Sequence, residues 1–330
     1  MVFIENNQNL NEIPKKSFFK RLAFFTLLAA ILFFTLVFFK IGHTFSLVSG
    51  SLWERDFYNE KDRVDILILG KRGASDEMYG GNLTDTIMIL SIKTDQNKVA
   101  LISIPRDLYV QIPRHNSREK INYAYAFGEN KGLSGIKLSK EVVENVTGVI
   151  IDYAIVVDFD AFEQIIDAVG GIDVYLEKDF IETSQWGWEF RIPAGKNILD
   201  GKTALYYVRS RFSTNDFDRA RRQQEVIIAL KNKILNIGVL ANPIKLNDIL
   251  SSVGDGVETN INLTTGLGLV KYLKYMDNDH LIKKTFDLSD NSLIQSGTID
   301  NMYVLYPKAG LDNYTDVRKD VRTIFDDVSE

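Results

Sequence analysis

Apolar residues follow three different rhythms along the chain. The first is unbroken: Leu22 to Ile41, LAFFTLLAAILFFTLVFFKI, is almost wholly apolar. About 20 residues at 1.5 Å each cross a ~30 Å hydrocarbon layer, and no helical period separates a wet face from a dry one, so this segment reads as a transmembrane helix. The second rhythm starts at Val64, where the short apolar runs VDILILG, TIMILSI, VALISI and DYAIVVD are each bounded by turn residues, the pattern of strands. The third is helical and is seen in EVVENVTG, in AFEQIIDAVG and over residues 218–236. Only the polar KTDQNK separates TIMILSI from VALISI, which is hairpin length. The expected fold is therefore α/β, a layered α/β/α domain with a mixed central sheet, preceded by one transmembrane helix. After Gly238 the pattern predicts one strand, MYVLY, and one closing helix, DVRKDVRTIFDD. That is too little to stand alone, so it should pack on the preceding domain.

Charge sets the orientation. Lys15, Lys16, Lys20 and Arg21 precede the apolar run, while mixed charges follow it. The positive-inside rule then leaves 1–21 in the cytoplasm, 22–41 across the cell membrane and the rest of this single-pass protein extracytoplasmic. A cleaved signal peptide fits less well, because the run exceeds the usual 7–15 residue apolar region and SLVSGS is a poor cleavage site. Residues 42–63 read as a polar linker, 64–236 as the main domain and 237–330 as a C-terminal extension. A composition of 45% hydrophobic and 25% charged residues is that of a globular protein. The net charge of -5 argues against nucleic acid as a partner. Cysteine is absent and the histidines are His43, His115 and His280, which excludes thiol chemistry and makes a histidine metal cluster improbable.

Against this acidic background, Arg209, Arg211, Arg219, Arg221 and Arg222 stand close together. Such a cluster calls for an anion. If Tyr206 to Arg211 ends a strand, Arg209 and Arg211 point to the same side and their guanidinium forks converge on one phosphate. With Asp216 as the N-cap of the next helix, Arg219 and Gln223 share a stripe with Val226, Leu230 and Ile234, and so face inward at the helix's positive end. Polar groups on an apolar stripe need a partner. For Arg221 the simpler reading is a surface ion pair with Glu225.

Arg106 and Asp107 directly follow the strand VALISI, a common location for sites but also for structural ion pairs. Lys120 and Asn122 add a cation and an amide beyond the next loop. Asp85 lies between a glycine-rich loop and TIMILSI, where an aspartate is usually only a turn residue.

In this order, ILILG, TDTIMI, SIPRD, KIN, FDAFEQIIDAVGGIDV, IPAGKNILDGKTALYYVRSR and DFDRARRQQ resemble the LytR–CpsA–Psr family over about residues 64–236. The resemblance implies a membrane-anchored phosphotransferase. Such an enzyme holds a polyprenyl-pyrophosphate-linked glycopolymer, with its lipid in an apolar pocket, and moves the polymer to a peptidoglycan acceptor through a phosphodiester. Its pyrophosphate-binding residues match Arg106, Lys120, Arg209, Arg211, Arg219 and Gln223, with Asp107 beside them. Its Mg²⁺-associated acids match Asp85 and the helix-entrance residue Asp216. One departure is evident: where the family has Gly-x-Asp-x-Arg, this chain has Gly70-Lys71-Arg72-Gly73-Ala74, so Arg72 replaces an expected carboxylate. The arginine before the D-T pair is also missing, with Leu83-Thr84 in its place. The general base is open between Asp85 and Asp107. Three other readings are a hydrolase of the same lipid pyrophosphates, a non-catalytic lipid-binding protein, and a transcription regulator, the last disfavoured by the membrane span and the acidic charge.

Overall fold

The computed structural model describes residues 60–73, 81–236, 256–277 and 280–326; the expected membrane segment 22–41, the stretch before it and the linker as far as residue 59 lie outside them. No helix among the described residues is long and apolar enough to cross a membrane.

Strands β1 (Arg63–Lys71), β2 (Thr84–Lys93) and β3 (Lys98–Ser103) form an antiparallel meander. A small hairpin, β4 (Tyr109–Gln111) and β5 (Arg118–Lys120), leads into helices α1 (Tyr123–Asn130) and α2 (Gly135–Thr147). Strand β6 (Tyr153–Val157) returns parallel to β1. Next come α3 (Phe159–Ala168), β7 (Ile172–Leu176), β8 (Phe180–Glu182), β9 (Phe190–Ile192) and β10 (Gly195–Leu199). Helix α4 (Gly201–Arg209) and the long α5 (Asp216–Asn236) follow. The C-terminal part supplies β11 (Val257–Thr259), α6 (Leu263–Val270), β12 (Leu281–Thr285), β13 (Ile294–Ile299), β14 (Met302–Pro307) and α7 (Thr315–Arg322).

The central sheet has the order β11-β6-β1-β2-β3-β12, with β1/β6 and β3/β12 parallel and the other pairs antiparallel. It is the mixed sheet expected from the hairpin-length connection. Strand β2 explains the layering. Ile87 and Ile89 enter the cluster built with α1, α2 and α7, whereas Met88 on the other face joins Leu101, Met276 and the α5 residues Ile227 and Ile228. Alternating side chains on this strand are thus buried on both faces, which is why it reads as a continuous apolar run. Each large side chain removed from water contributes about 1.5–3 kcal/mol, so a strand buried on both faces anchors the fold.

Strand β1 begins at Arg63, which is buried, pairs with Asp65 at 2.9 Å and donates to the Val321 carbonyl of α7. Two expectations are corrected. Residues 206–211 are not a strand end. Ala204, Leu205, Tyr207 and Val208 are buried at helical spacing, and Asp200 accepts from the Thr203 amide as N-cap, so Arg209 closes a helix and Arg211 lies in the loop beyond it. The C-terminal part carries four strands among the described residues rather than one, and β11 and β12 form the two edges of the central sheet. Sequences such as VET and LIKKT are too short or too polar to announce themselves as strands.

Candidate anion-binding site

The site lies where β1 and β3 end and α5 begins. In β1 the pairing register with β2 slips between Gly70 and Lys71, and a side chain at Gly70 would sit 2.9 Å from Thr86 Cβ. A bulge re-aims the chain that follows it, and Arg72 Nε here donates to Asp85 Oδ2 at 3.0 Å. Arg106, directly after β3, donates to Asp85 Oδ1 and lies 3.5 Å from Asp216 Oδ1 and 3.8 Å from Asp107 Oδ2. Burial works against the Arg106 charge, but Asp85, Asp216 and Asp107 outweigh it and push its pKa up. Burial would likewise raise the Asp85 carboxyl. The charges of Arg106, Arg219 and Arg72 win and hold it below the usual carboxylate range.

Arg219 approaches from the first turns of α5. It is 5% exposed, donates to the Asp85 carbonyl at 3.1 Å and pairs with Asp216 at 2.9 Å. Burial pushes its pKa down to about 10, still well above neutrality, so it remains charged. The cap of α5 is Asn215, whose Oδ1 accepts from the Phe217 and Asp218 amides; Asp216, the cap expected from the sequence, instead occupies the first turn and faces the arginines. Arg211 is 3.7 Å from Asp216 Oδ1, and burial followed by repulsion from Arg106 lowers its pKa. Lys120 donates to Asp107 at 2.6 Å, and Gln223 to the Val208 carbonyl at 3.3 Å. Arg209 stands slightly apart, its guanidinium 4.2 Å above the Phe159 ring and 5.3 Å from that of Trp186.

The structure therefore gathers Arg72, Arg106, Lys120, Arg211 and Arg219 around Asp85, Asp107 and Asp216, with Arg209 and Gln223 on the adjoining elements. Arg106 Nε and Arg219 Nε are buried N–H groups that make no hydrogen bond among the described residues, although Arg106 Nε lies 3.5 Å from Asp216 Oδ1, itself 2.9 Å from Arg219 Nη1. Buried donors without acceptors are rare because each forfeits its hydration. Two of them in one cationic cluster are N–H groups able to donate to an anion's oxygens.

The described residues do not fit a Mg²⁺ site. Both oxygens of Asp85 are engaged by guanidinium groups, Asp216 is surrounded by Arg106, Arg211 and Arg219, and no group of three or more metal-capable side chains occurs among the described residues. Mg²⁺ would have to displace Arg72 or Arg106 to reach Asp85.

Several residues that build the site carry no clear signal in the sequence. Glu182 is fully buried and accepts from the amides of Ser184, Gln185 and Ser213 and from the Ser213 hydroxyl, joining the loop after β8 to the loop after α4. Arg222 is structural: it donates to the Tyr207 and Ser210 carbonyls and stacks 4.8 Å from the Phe180 ring, fixing the turn between Arg209 and Arg211. Buried Gln224 donates to the Leu101 and Lys284 carbonyls and to Ser103 Oγ, locking α5 across β3 and β12. Arg221 pairs with Asp218 and Asp287 rather than Glu225, which accepts from the Tyr207 hydroxyl. For Gln224 the one usable hint is a polar residue set among the apolar positions of a helix. Glu182 has none.

Fold and site together define an α/β domain whose sheet end and helix start carry a cluster of arginines and aspartates. The chain belongs to the LytR_cpsA_psr family, whose model matches residues 43–319. It is 38% identical over 209 residues to the polyisoprenyl-teichoic acid–peptidoglycan teichoic acid transferase TagU of Oceanobacillus iheyensis, a match covering 62% of this chain and 61% of that protein. With TagU of Enterococcus faecalis it shares 31% identity over 68% of this chain and 70% of that one. The match thus spans about two thirds of the length of these relatives. The crystal structure of B. subtilis TagV superposes with a TM-score of 0.62 at 30% identity, covering 80% of this chain and 97% of that one.

Proposed function

We propose that this protein is a membrane-anchored extracytoplasmic phosphotransferase that moves a glycopolymer, of the teichoic acid kind named for its relatives, from a polyprenyl-pyrophosphate lipid to peptidoglycan. The observation that carries the proposal is the buried cationic cluster around Arg106 and Arg219, whose Nε–H groups make no hydrogen bond among the described residues. In this reading the segment 22–41 is the anchor, Arg106, Arg211, Arg219 and Lys120 hold the pyrophosphate oxygens, and Arg209 closes one side of the cradle.

An acceptor sugar hydroxyl attacks the phosphorus nearer the polymer. An O–P bond forms, the bridging P–O bond breaks, and polyprenyl phosphate leaves carrying the electron pair. Charge on the equatorial oxygens is the main obstacle, and fixed guanidinium groups in a buried site stabilise it without reorganising. Asp85 and Asp107, the two acids that the sequence offers as base, are held by Arg72 and Arg106 and by Lys120 respectively. Asp216 Oδ1 is likewise held, 2.9 Å from Arg219 Nη1, and a carboxylate of this cluster takes the hydroxyl proton in this scheme. No step is routed through a metal.

The test uses the full chain in detergent with a lipid-pyrophosphate-linked glycan and peptidoglycan oligomers. Arg209→Ala and Arg219→Ala should each abolish transfer while circular dichroism stays native. Full activity in both variants would overturn the assignment.

A further inference from the structure

Two of the chain's three tryptophans, Trp186 and Trp188, lie in the single loop between β8 and β9. Neither is an ordinary core residue. Trp186 is half-buried and Trp188 is 49% exposed. Both rings meet Tyr206 of α4 edge-on, with centroids 4.8 and 5.6 Å away, and Trp188 also meets Phe190 at 5.9 Å. Edge-on packing leaves part of each indole uncovered at the surface.

The loop is fastened to the arginine site from both sides. Gln185 Nε2 donates to the Arg209 carbonyl at 3.0 Å, and Gln185 Oε1 accepts from the Arg211 amide at 2.8 Å. Trp186 Nε1 donates to Ser210 Oγ at 3.0 Å. The Arg209 guanidinium rests between the Phe159 and Trp186 rings. Aromatic surface is thus held in fixed register with the cations that grip the anion.

The loop's composition selects the occupant. Between Ile181 and Phe190 the two tryptophans, separated by Gly187, are preceded by Glu182, Thr183, Ser184 and Gln185 and followed by Glu189, and there is no lysine or arginine. A membrane-facing loop would instead set its aromatics among basic residues that attract anionic headgroups. Apolar C–H faces bordered by hydroxyl groups are the surface of a pyranose ring. Flat rings flanked by neutral and acidic hydrogen-bonding groups complement it.

Resting on the phosphotransferase reading above, we propose that the Trp186–Trp188 loop is the acceptor subsite, holding an uncharged sugar of the peptidoglycan glycan beside the phosphorus it attacks. Trp188 supplies the stacking face, and Trp186 couples it to Arg209.

The test is calorimetric, with the full chain in detergent, Trp188→Ala and Trp188→Tyr, and two separate probes: a soluble, uncharged N-acetylglucosamine oligomer as the glycan, and inorganic pyrophosphate. Trp188→Ala should weaken glycan binding about tenfold or more, the loss expected for an aromatic anchor, while Trp188→Tyr stays within about threefold of wild type. Pyrophosphate binding should be unchanged in both. In the transfer assay Trp188→Ala should raise the acceptor KM at constant kcat. Unaltered glycan binding would overturn the subsite, as would a parallel loss of pyrophosphate binding, which would make the platform part of the donor site. Quenching of Trp188 by bromine-labelled lipid in nanodiscs would make the loop a membrane contact and overturn it too. Wild-type protein that binds glycan but not pyrophosphate would instead contradict the phosphotransferase reading alone.

Discussion

Arg72 Nε donates to Asp85 Oδ2 at 3.0 Å, opposite the Arg106 guanidinium on Asp85 Oδ1, so both oxygens of this half-buried carboxylate are neutralised by side chains. Arg72 stands where the resemblance leads one to expect an acid. The cation that would pair with Asp85 is built into the chain.

A consequence concerns metal. Catalytic metals supply several kcal/mol of charge stabilisation, so stripping one slows turnover roughly a hundredfold or more. Transfer by this protein should be unaffected by chelator, and Arg72→Asp should lose activity and regain part of it with added Mg²⁺. Rate measurements with and without chelator check this, and a chelator-sensitive wild type would contradict it.

A second prediction concerns pH. The folded pKa of Asp85 is depressed, so its ion pairs contribute stability that is fully present above the unfolded value of about 3.9 and is lost as pH falls through the folded value. Removing the charge leaves Arg72 and Arg106 without their partner, and losing the acceptor of such a partly buried charged hydrogen bond costs about 1–3 kcal/mol. Thermal denaturation of Asp85→Asn should therefore show a lowered Tm from pH 5 upward, with the gap to wild type narrowing at lower pH. Glu182, also held below its ordinary value because the Ser213 and Ser184 amides outweigh its burial, should give Glu182→Gln the same profile.

The five clustered arginines should separate into two kinds. Arg219→Lys keeps a charge but loses the planar fork that reaches both the Asp85 carbonyl and Asp216, so pyrophosphate affinity should fall while Tm changes little. Arg222→Lys cannot reach the Tyr207 and Ser210 carbonyls together and should lower Tm, since a buried acceptor left unpaired costs about 1–3 kcal/mol. Paired calorimetry and thermal melts on both variants distinguish binding from positioning.

Much of this architecture is legible in the residue pattern. The runs TIMILSI and VALISI predict a hairpin and hence a mixed sheet, and the stripe Arg219, Gln223, Val226 places a buried arginine at the start of α5. Two things are not legible there. The segment Tyr206 to Arg211 has the β-prone composition of a strand, but Asp200 caps a helix through it and the buried Ala204, Leu205, Tyr207 and Val208 hold that helix in place, so tertiary packing overrides local preference. Glu182 and Gln224 act through contacts that span 31 and 121 residues, and no local pattern records such contacts.

The most direct measurement follows a donor labelled at the phosphorus nearer the polymer. With peptidoglycan oligomers present, the label should appear in a phosphodiester joining polymer to glycan, with polyprenyl phosphate released in equal amount. Without acceptor the donor should persist. Release of polymer phosphate into water at the same rate with or without acceptor would make the protein a hydrolase and contradict the account.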